Sequence, residues 1–354
     1  MKRNLRKILL LLPFLALSAC QSPSRLAQLF VYDSADTFIN SLRVDLAKKL
    51  DGYIAYDINY AERKQTTQNQ QTISALNDSR TAILVMNTVD RLASSALIEK
   101  AEKKNVPIIF INREPLSGDF SGSWAQKNCY YVGSDPSYEG TLQAEIAGTI
   151  FGPASSFKGS VYDKNGDGIV QVVLLKGEQG HQDAEQRSQH CISKLKDLGY
   201  SVDVIETAYC NWERSVAKET MAKLYSQNIE LLFSNNDDMA LGAIDYLENL
   251  TSPTGGESAS VSSSNSMYQP DPSLPFDQRY FPIIGVDDTK AGQSAIDAGT
   301  LAGTVLNNAD KQASVIFDLM KHILDGIPVP SYDVKSVVPN GNYYHVLGQI
   351  VQKK

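Results

Sequence analysis

The stretch Gly-Glu-Gln-Gly-His-Gln-Asp-Ala-Glu-Gln-Arg, residues 177–187, brings His181, Asp183 and Arg187 close together in the chain. Gly180 precedes a helix start there. Asp183 and Arg187, four apart, then share one helix face. An imidazole, a carboxylate and a guanidinium so placed can hold the polar groups of a solute, or can simply form a surface ion pair. A second stretch, Val-Tyr-Asp-Lys-Asn-Gly-Asp-Gly-Ile-Val-Gln at 161–171, alternates Asp163, Asn165 and Asp167, then supplies Gly168, the Ile169 carbonyl and Gln171. This is the oxygen pattern of the first nine positions of a calcium loop. Position 12, where a bidentate acid belongs, is Leu174. On its own the run is either a calcium loop missing a carboxylate or an Asp/Asn/Gly turn.

Further polar residues follow short apolar runs. Asp33 to Asp36 come after the first such run, Asn112-Arg113-Glu114 after "PIIFI", and Asn235 to Asp238 after "LLFS". Asp287-Asp288 and Asn307-Asn308 end two more. Ligands of open α/β sheets bind at the carboxyl ends of strands, so five such ends meeting at one crevice would make a site. The set is mostly Asp and Asn, with no basic patch and no phosphate-cradling glycine loop.

The runs alternate with longer stretches of helical spacing, such as "FINSLRVDLAKKL" and "RLASSALIEKAEKK". Fully apolar strands alternating with helices predict parallel sheets covered on both faces. The rhythm restarts after residues 130–135, and 335 residues would remain after loss of the first 19 of 354, more than one core usually serves. Two α/β lobes are expected. Residues 251–278, rich in Ser, Pro and Gly, read as a flexible, solvated insertion. The chain opens with four cations, an apolar core and Leu17-Ser18-Ala19-Cys20, the layout of an export signal ending in a lipidation motif at Cys20. An ordinary cleaved signal is the alternative. The formal charge is −7, and −11 without Lys2, Arg3, Arg6 and Lys7, which argues against a nucleic-acid partner. Cys129, Cys191 and Cys210 match no metal knuckle; buried thiols, or one disulfide with a free thiol, are expected.

These motifs together resemble the bacterial periplasmic galactose/glucose-binding proteins over nearly the whole exported chain. Family members read Gly-Glu-Pro-Gly-His-Pro-Asp-Ala-Glu-Ala-Arg where this chain has 177–187, and their sugar-contact positions fall on Asp36, Phe38, Asn112, His181, Asp183, Arg187, Trp212, Asn236, Asp287 and Asn307. "FINREP", "SNNDDMALGA" and "LAGTVLN" carry the match, while "TAYCNW" is two residues longer before its Trp than the family pattern. The resemblance implies a periplasmic binding protein of type 1, an α/β fold of two Rossmann-like lobes on a three-segment hinge. The lobes would be 26–133 with 308–340, and 134–307 with 341–354, following an N-terminal linker at 20–25; crossings are expected near 133–135, 306–308 and 338–344. It also implies that Glu230 supplies the missing calcium ligand, completing Asp163, Asn165, Asp167, Ile169 and Gln171 around a structural Ca2+.

The chemistry agrees. A neutral pyranose offers apolar faces and hydroxyls that donate and accept; aromatic rings cover the former, and acids, amides and cations pair with the latter. The expected partners are galactose or glucose, an ABC transporter permease and a membrane reached through the Cys20 lipid, with the protein itself a monomer. A chemoreceptor or sensor kinase is an alternative recipient. A repressor would carry a DNA-binding helix pair in place of the export signal, and a glycoside hydrolase would need two carboxylates flanking a scissile bond.

Overall fold

The computed structural model describes residues 25–251 and 271–353. The expected signal at 1–19, Cys20, all but Arg25 of the expected linker, and most of the expected insertion lie outside them. Arg25 itself is tied to Asp325 at 2.9 Å.

In chain order the first part runs β1 (Leu26–Val31), α1 (Thr37–Leu50), β2 (Ala55–Tyr60), α2 (Gln65–Asn77), β3 (Thr81–Met86), α3 (Ser94–Lys104), β4 (Ile108–Ile111), α4 (Ala125–Asn128) and β5 (Cys129–Ser134). The middle runs α5 (Pro136–Phe151), β6 (Ile169–Lys176), α6 (Gln182–Asp197), β7 (Ser201–Tyr209), α7 (Arg214–Leu224), β8 (Leu231–Ser234), α8 (Asp237–Thr251), α9 (Phe276–Arg279), β9 (Ile283–Ile284), α10 (Lys290–Ala298) and β10 (Thr304–Leu306). The chain finishes with α11 (Ala309–Asp325), β11 (Val337–Asn340), β12 (Tyr343–Val346) and β13 (Gln349–Val351).

One sheet has the order β11-β12-β5-β4-β3-β1-β2, the other β7-β6-β8-β9, with β10 and β13 forming an antiparallel pair beside it. Ile284 and Gly303 bridge that pair to the second sheet. Strand character follows position. β1 is buried along its whole length. The edge strands β2 and β7 instead mix polar and apolar residues and are half-exposed. Each sheet is covered on both faces, so each lobe has two cores. In the first lobe, one contains Leu42, Leu46, Ile316 and Leu319; the other contains Phe30, Leu97, Phe110 and Tyr131. The second lobe is built likewise, around Met221 and Leu247 on one side and Phe157 and Leu195 on the other.

Three crossings join the lobes. The chain leaves the first sheet at Ser134, where Asp135 caps α5 by accepting from the Tyr138 N–H at 3.0 Å. It returns at Asn307-Asn308, from which α11 packs on α1. The last crossing differs from the expectation of 338–344. Tyr343–Val346 pair in parallel with Tyr131–Ser134, so residues 341–346 belong to the first lobe and the crossing falls at Leu347-Gly348. A Cβ on Gly348 would stand 2.8 Å from Val305 Cγ1, so only glycine passes there. A second correction concerns 271–278. Phe276 opens α9 and buries its ring against Tyr280, 4.9 Å between centroids, so this end of the expected flexible insertion is anchored in the second core.

Cys129, Cys191 and Cys210 are free and buried. Burial pushes the Cys129 thiol up to about 12, which leaves it unreactive.

Candidate functional site

The ten residues expected at the site line one cavity between the lobes. Tyr32 and Arg113 complete the lining, and about 330 Å3 of space lies among these side chains, counting the part open to solvent.

From the first lobe, Asp36 caps α1, accepting from the Ile39 N–H at 2.8 Å, and its second oxygen accepts from the Tyr32 hydroxyl at 2.6 Å. Phe38 follows in the first turn and is buried. Asn112 follows β4 with φ 60°, and its carbonyl accepts from Gln182 of the other lobe at 2.7 Å. From the second lobe, His181 caps α6: its Nδ1 accepts from the Asp183 N–H at 3.2 Å. Burial and the neighbouring arginines hold the imidazole well below its usual pKa, so it is neutral and carries its proton on Nε2. Arg187 is fixed by three acceptors, Glu139 at 2.7 Å, the Asn235 carbonyl at 2.9 Å and Asp183 at 3.4 Å.

Trp212 has φ 67° and meets His181 edge to face, 5.0 Å between centroids. Its carbonyl accepts from Asn236 Nδ2 at 3.3 Å, while Asn236 Oδ1 takes the Met239 N–H at the start of α8. Asp287, at φ 118°, accepts from Asn307 at 3.2 Å, and Gln312 orients Asn307 from behind at 2.7 Å. Asn112, Trp212 and Asp287 therefore all hold backbone conformations that cost non-glycine residues about 1–3 kcal/mol each, strain of the kind that gathers at ligand sites.

Burial pushes the carboxyls of Asp36, Asp183 and Asp287 upward, with Arg187 opposing the shift at the last two. Removed from water, such groups favour a partner that restores their hydrogen bonds. The reading of strand ends and resemblance passed over three participants. Tyr32 reads as the end of a core strand, and Glu139 gives no sequence signal. Arg113 was visible as a polar strand end but received no role.

Side chains also meet across the cleft beyond the cavity. Arg63 reaches Glu213 at 2.5 Å and Thr37 Oγ1 donates to Asp238 at 2.6 Å on one side; Arg113 reaches Glu178 at 2.8 Å on the other. The lobes are thus closed over the cavity.

The 163–171 loop lies in the second lobe. Glu230 is buried beside it, accepting from the Lys164 N–H at 2.6 Å and the Gln171 N–H at 3.2 Å. Asp167 accepts from Asn165 and Gln171, and Asp163 from the Gly159 and Gly168 N–H groups. The loop and Glu230 therefore do come together, and oxygen donors of this kind suit a hard cation. Among the described residues no group of three or more His, Cys, Asp or Glu side chains is gathered so as to hold a metal ion, and the carboxylates of Asp163, Asp167 and Glu230 are engaged by N–H donors instead.

A model of the periplasmic binding protein domain matches residues 28–328. The chain belongs to the periplasmic binding protein family. Its members bind solutes outside the cytoplasm rather than transform them, so the chain is a binding protein and not an enzyme. This binding protein is 31% identical over 303 residues to the D-galactose/methyl-galactoside binding periplasmic protein of Haemophilus influenzae, spanning 84% of the chain and 80% of the relative. It is 23% identical to the ribose import binding protein of Escherichia coli, over 95% of the chain and 99% of that protein. Among solved structures, an ABC transporter solute-binding protein of Bacillus halodurans with bound myo-inositol superposes with a TM-score of 0.70 at 18% identity, covering 94% of this chain and 96% of the other. One from Actinobacillus succinogenes with bound D-allose gives 0.70 at 19%, covering 93% and 97%. The two-lobe type 1 fold is thereby established. No helix among the described residues is long and apolar enough to cross a membrane.

Proposed function

We propose that this protein binds a neutral hexose, D-galactose or D-glucose, in the interlobe cavity and delivers it to the permease of an ABC transporter. The observation that carries this is the lining itself: an aromatic ring from each lobe, Phe38 and Trp212, shares one small cavity with Asp36, Asp183 and Asp287, with Arg187, and with three asparagines. Rings cover the apolar faces of a pyranose. Acids accept from hydroxyls, Arg187 and the Nε2 proton of His181 donate, and amides do both. An analogue lacking one hydroxyl would leave a buried charge unpaired and be rejected. Closure follows because only the closed form lets both lobes touch the sugar. The galactose-binding relative supports the hexose assignment. Anchoring through Cys20, and a structural Ca2+ held by Asp163, Asn165, Asp167, Ile169, Gln171 and Glu230, complete the proposal.

Calorimetric titration with galactose, glucose, allose, ribose and myo-inositol tests it. Tight binding of galactose or glucose, with the others at least tenfold weaker, is expected; a tight response to ribose and none to any hexose would overturn it.

A further inference from the structure

Arg113 stands apart from the other residues of the cavity. It is 4% exposed, yet its Nε and Nη2 have no hydrogen-bond partner. Its remaining donor, Nη1, is fully used: it reaches the Val89 carbonyl at 2.6 Å within its own lobe and Glu178 of the opposite lobe at 2.8 Å. The guanidinium carbon sits 4.0 Å from the centre of the Tyr32 ring, a cation–π contact that, with the two Nη1 partners, restrains the group. Arg113 lines the cavity, and it also lines the groove outside, which Val89, Asp90, Glu178 and His181 bound. It is therefore the partition between bound solute and solvent on this side of the cleft. A buried guanidinium with two empty donors is unfavourable unless something accepts from them.

We propose that Arg113 is a ligand-dependent clasp: an acceptor oxygen of the bound sugar takes Nε and Nη2, and this fixes Nη1 on Glu178 so that ligand contact and lobe closure are one event. The inference rests on the reading of the cavity as a sugar site. It adds a residue that selects for a hydroxyl or ring oxygen at this end of the ligand, and it makes the Arg113–Glu178 pair part of the binding equilibrium. A lysine could pair with Glu178 as a point charge but could not span two donors toward the ligand in a fixed plane.

The test is a double-variant cycle read by calorimetry with whichever sugar of the five-member panel binds the parent most tightly. Arg113→Lys is expected to weaken binding at least thirtyfold and Glu178→Gln about fivefold to tenfold, with the double variant no weaker than Arg113→Lys alone. Small-angle scattering at saturating sugar should show both single variants partly open where the parent is closed. Arg113→Lys binding within twofold of the parent would overturn the clasp, as would single-variant losses that multiply in the double. Glu178 is partly exposed, so its variant reports even if replacing the buried Arg113 lowers stability. A parent that binds no sugar of the panel would overturn the sugar reading, and the clasp with it; a parent that binds while the variants behave as parent would overturn the clasp alone.

Discussion

At the residue scale, the site is set as much by what is absent as by what is present. Gly177 lies against the Trp212 indole, and a Cβ there would meet Cζ2 at 2.1 Å. The ring cannot yield easily, because its backbone already sits at positive φ and its carbonyl is held by Asn236. Gly177→Ala is therefore expected to tilt the ring out of the cavity and lower sugar affinity at least tenfold, about 1.4 kcal/mol. Fluorescence in a Trp124→Phe background isolates Trp212; an unchanged sugar-induced signal and affinity would show that the ring does not cover the ligand. The ten residues that line the cavity were legible in different ways: strand ends pointed to Asp36, Asn112, Asn236, Asp287 and Asn307, the 177–187 motif offered His181, Asp183 and Arg187, and only the family resemblance singled out Phe38 and Trp212. Glu139 was not, because its role is to fix Arg187 from α5, and nothing local in the sequence distinguishes a buried carboxylate on a helix from an exposed one.

At the scale of elements, the loop before β6 and the start of β8 form one hydrogen-bonded unit through Glu230. Burial pushes that carboxyl up to about 7, while the loop N–H groups pull it down. If the proposed cation is bound, Glu230→Ala removes a ligand and an anchor together. The variant should melt lower than the parent and lose the stabilisation that calcium gives over chelator, while sugar affinity changes by less than about threefold. Parent melting indifferent to chelator would eliminate the site. Elements were read well where burial dictated composition, as in β1 and β8. The reading failed at β12. "NYYHVLG" carries aromatic residues that suit a strand in either lobe, and only its parallel pairing with β5 decides which. It failed again at α9, where Phe276 has a burial partner, Tyr280, that a Ser- and Pro-rich context hides.

At the scale of the whole molecule, the two sides of the cleft are closed by different physics. Arg63 bridges Asp33 and Glu213 but does not line the cavity, and its side chain is 35% exposed. A pair so exposed is worth about 0–1 kcal/mol and is screened by salt. Arg63→Gln should weaken sugar binding less than about fivefold at low ionic strength, with the loss fading in about 0.5 M NaCl, whereas a tenfold loss that persists in salt would mean the bridge governs closure. The course of the last segment has a separate consequence. After the final crossing at Leu347-Gly348, the second lobe keeps its edge pair β10–β13 through Gln349–Val351. Neither lobe can be cut from the gene as one continuous piece. Removing Gln349–Val351 would strip a partner from β10, so a cut made just after the final crossing would unsettle the half of the molecule opposite the one that carries β1.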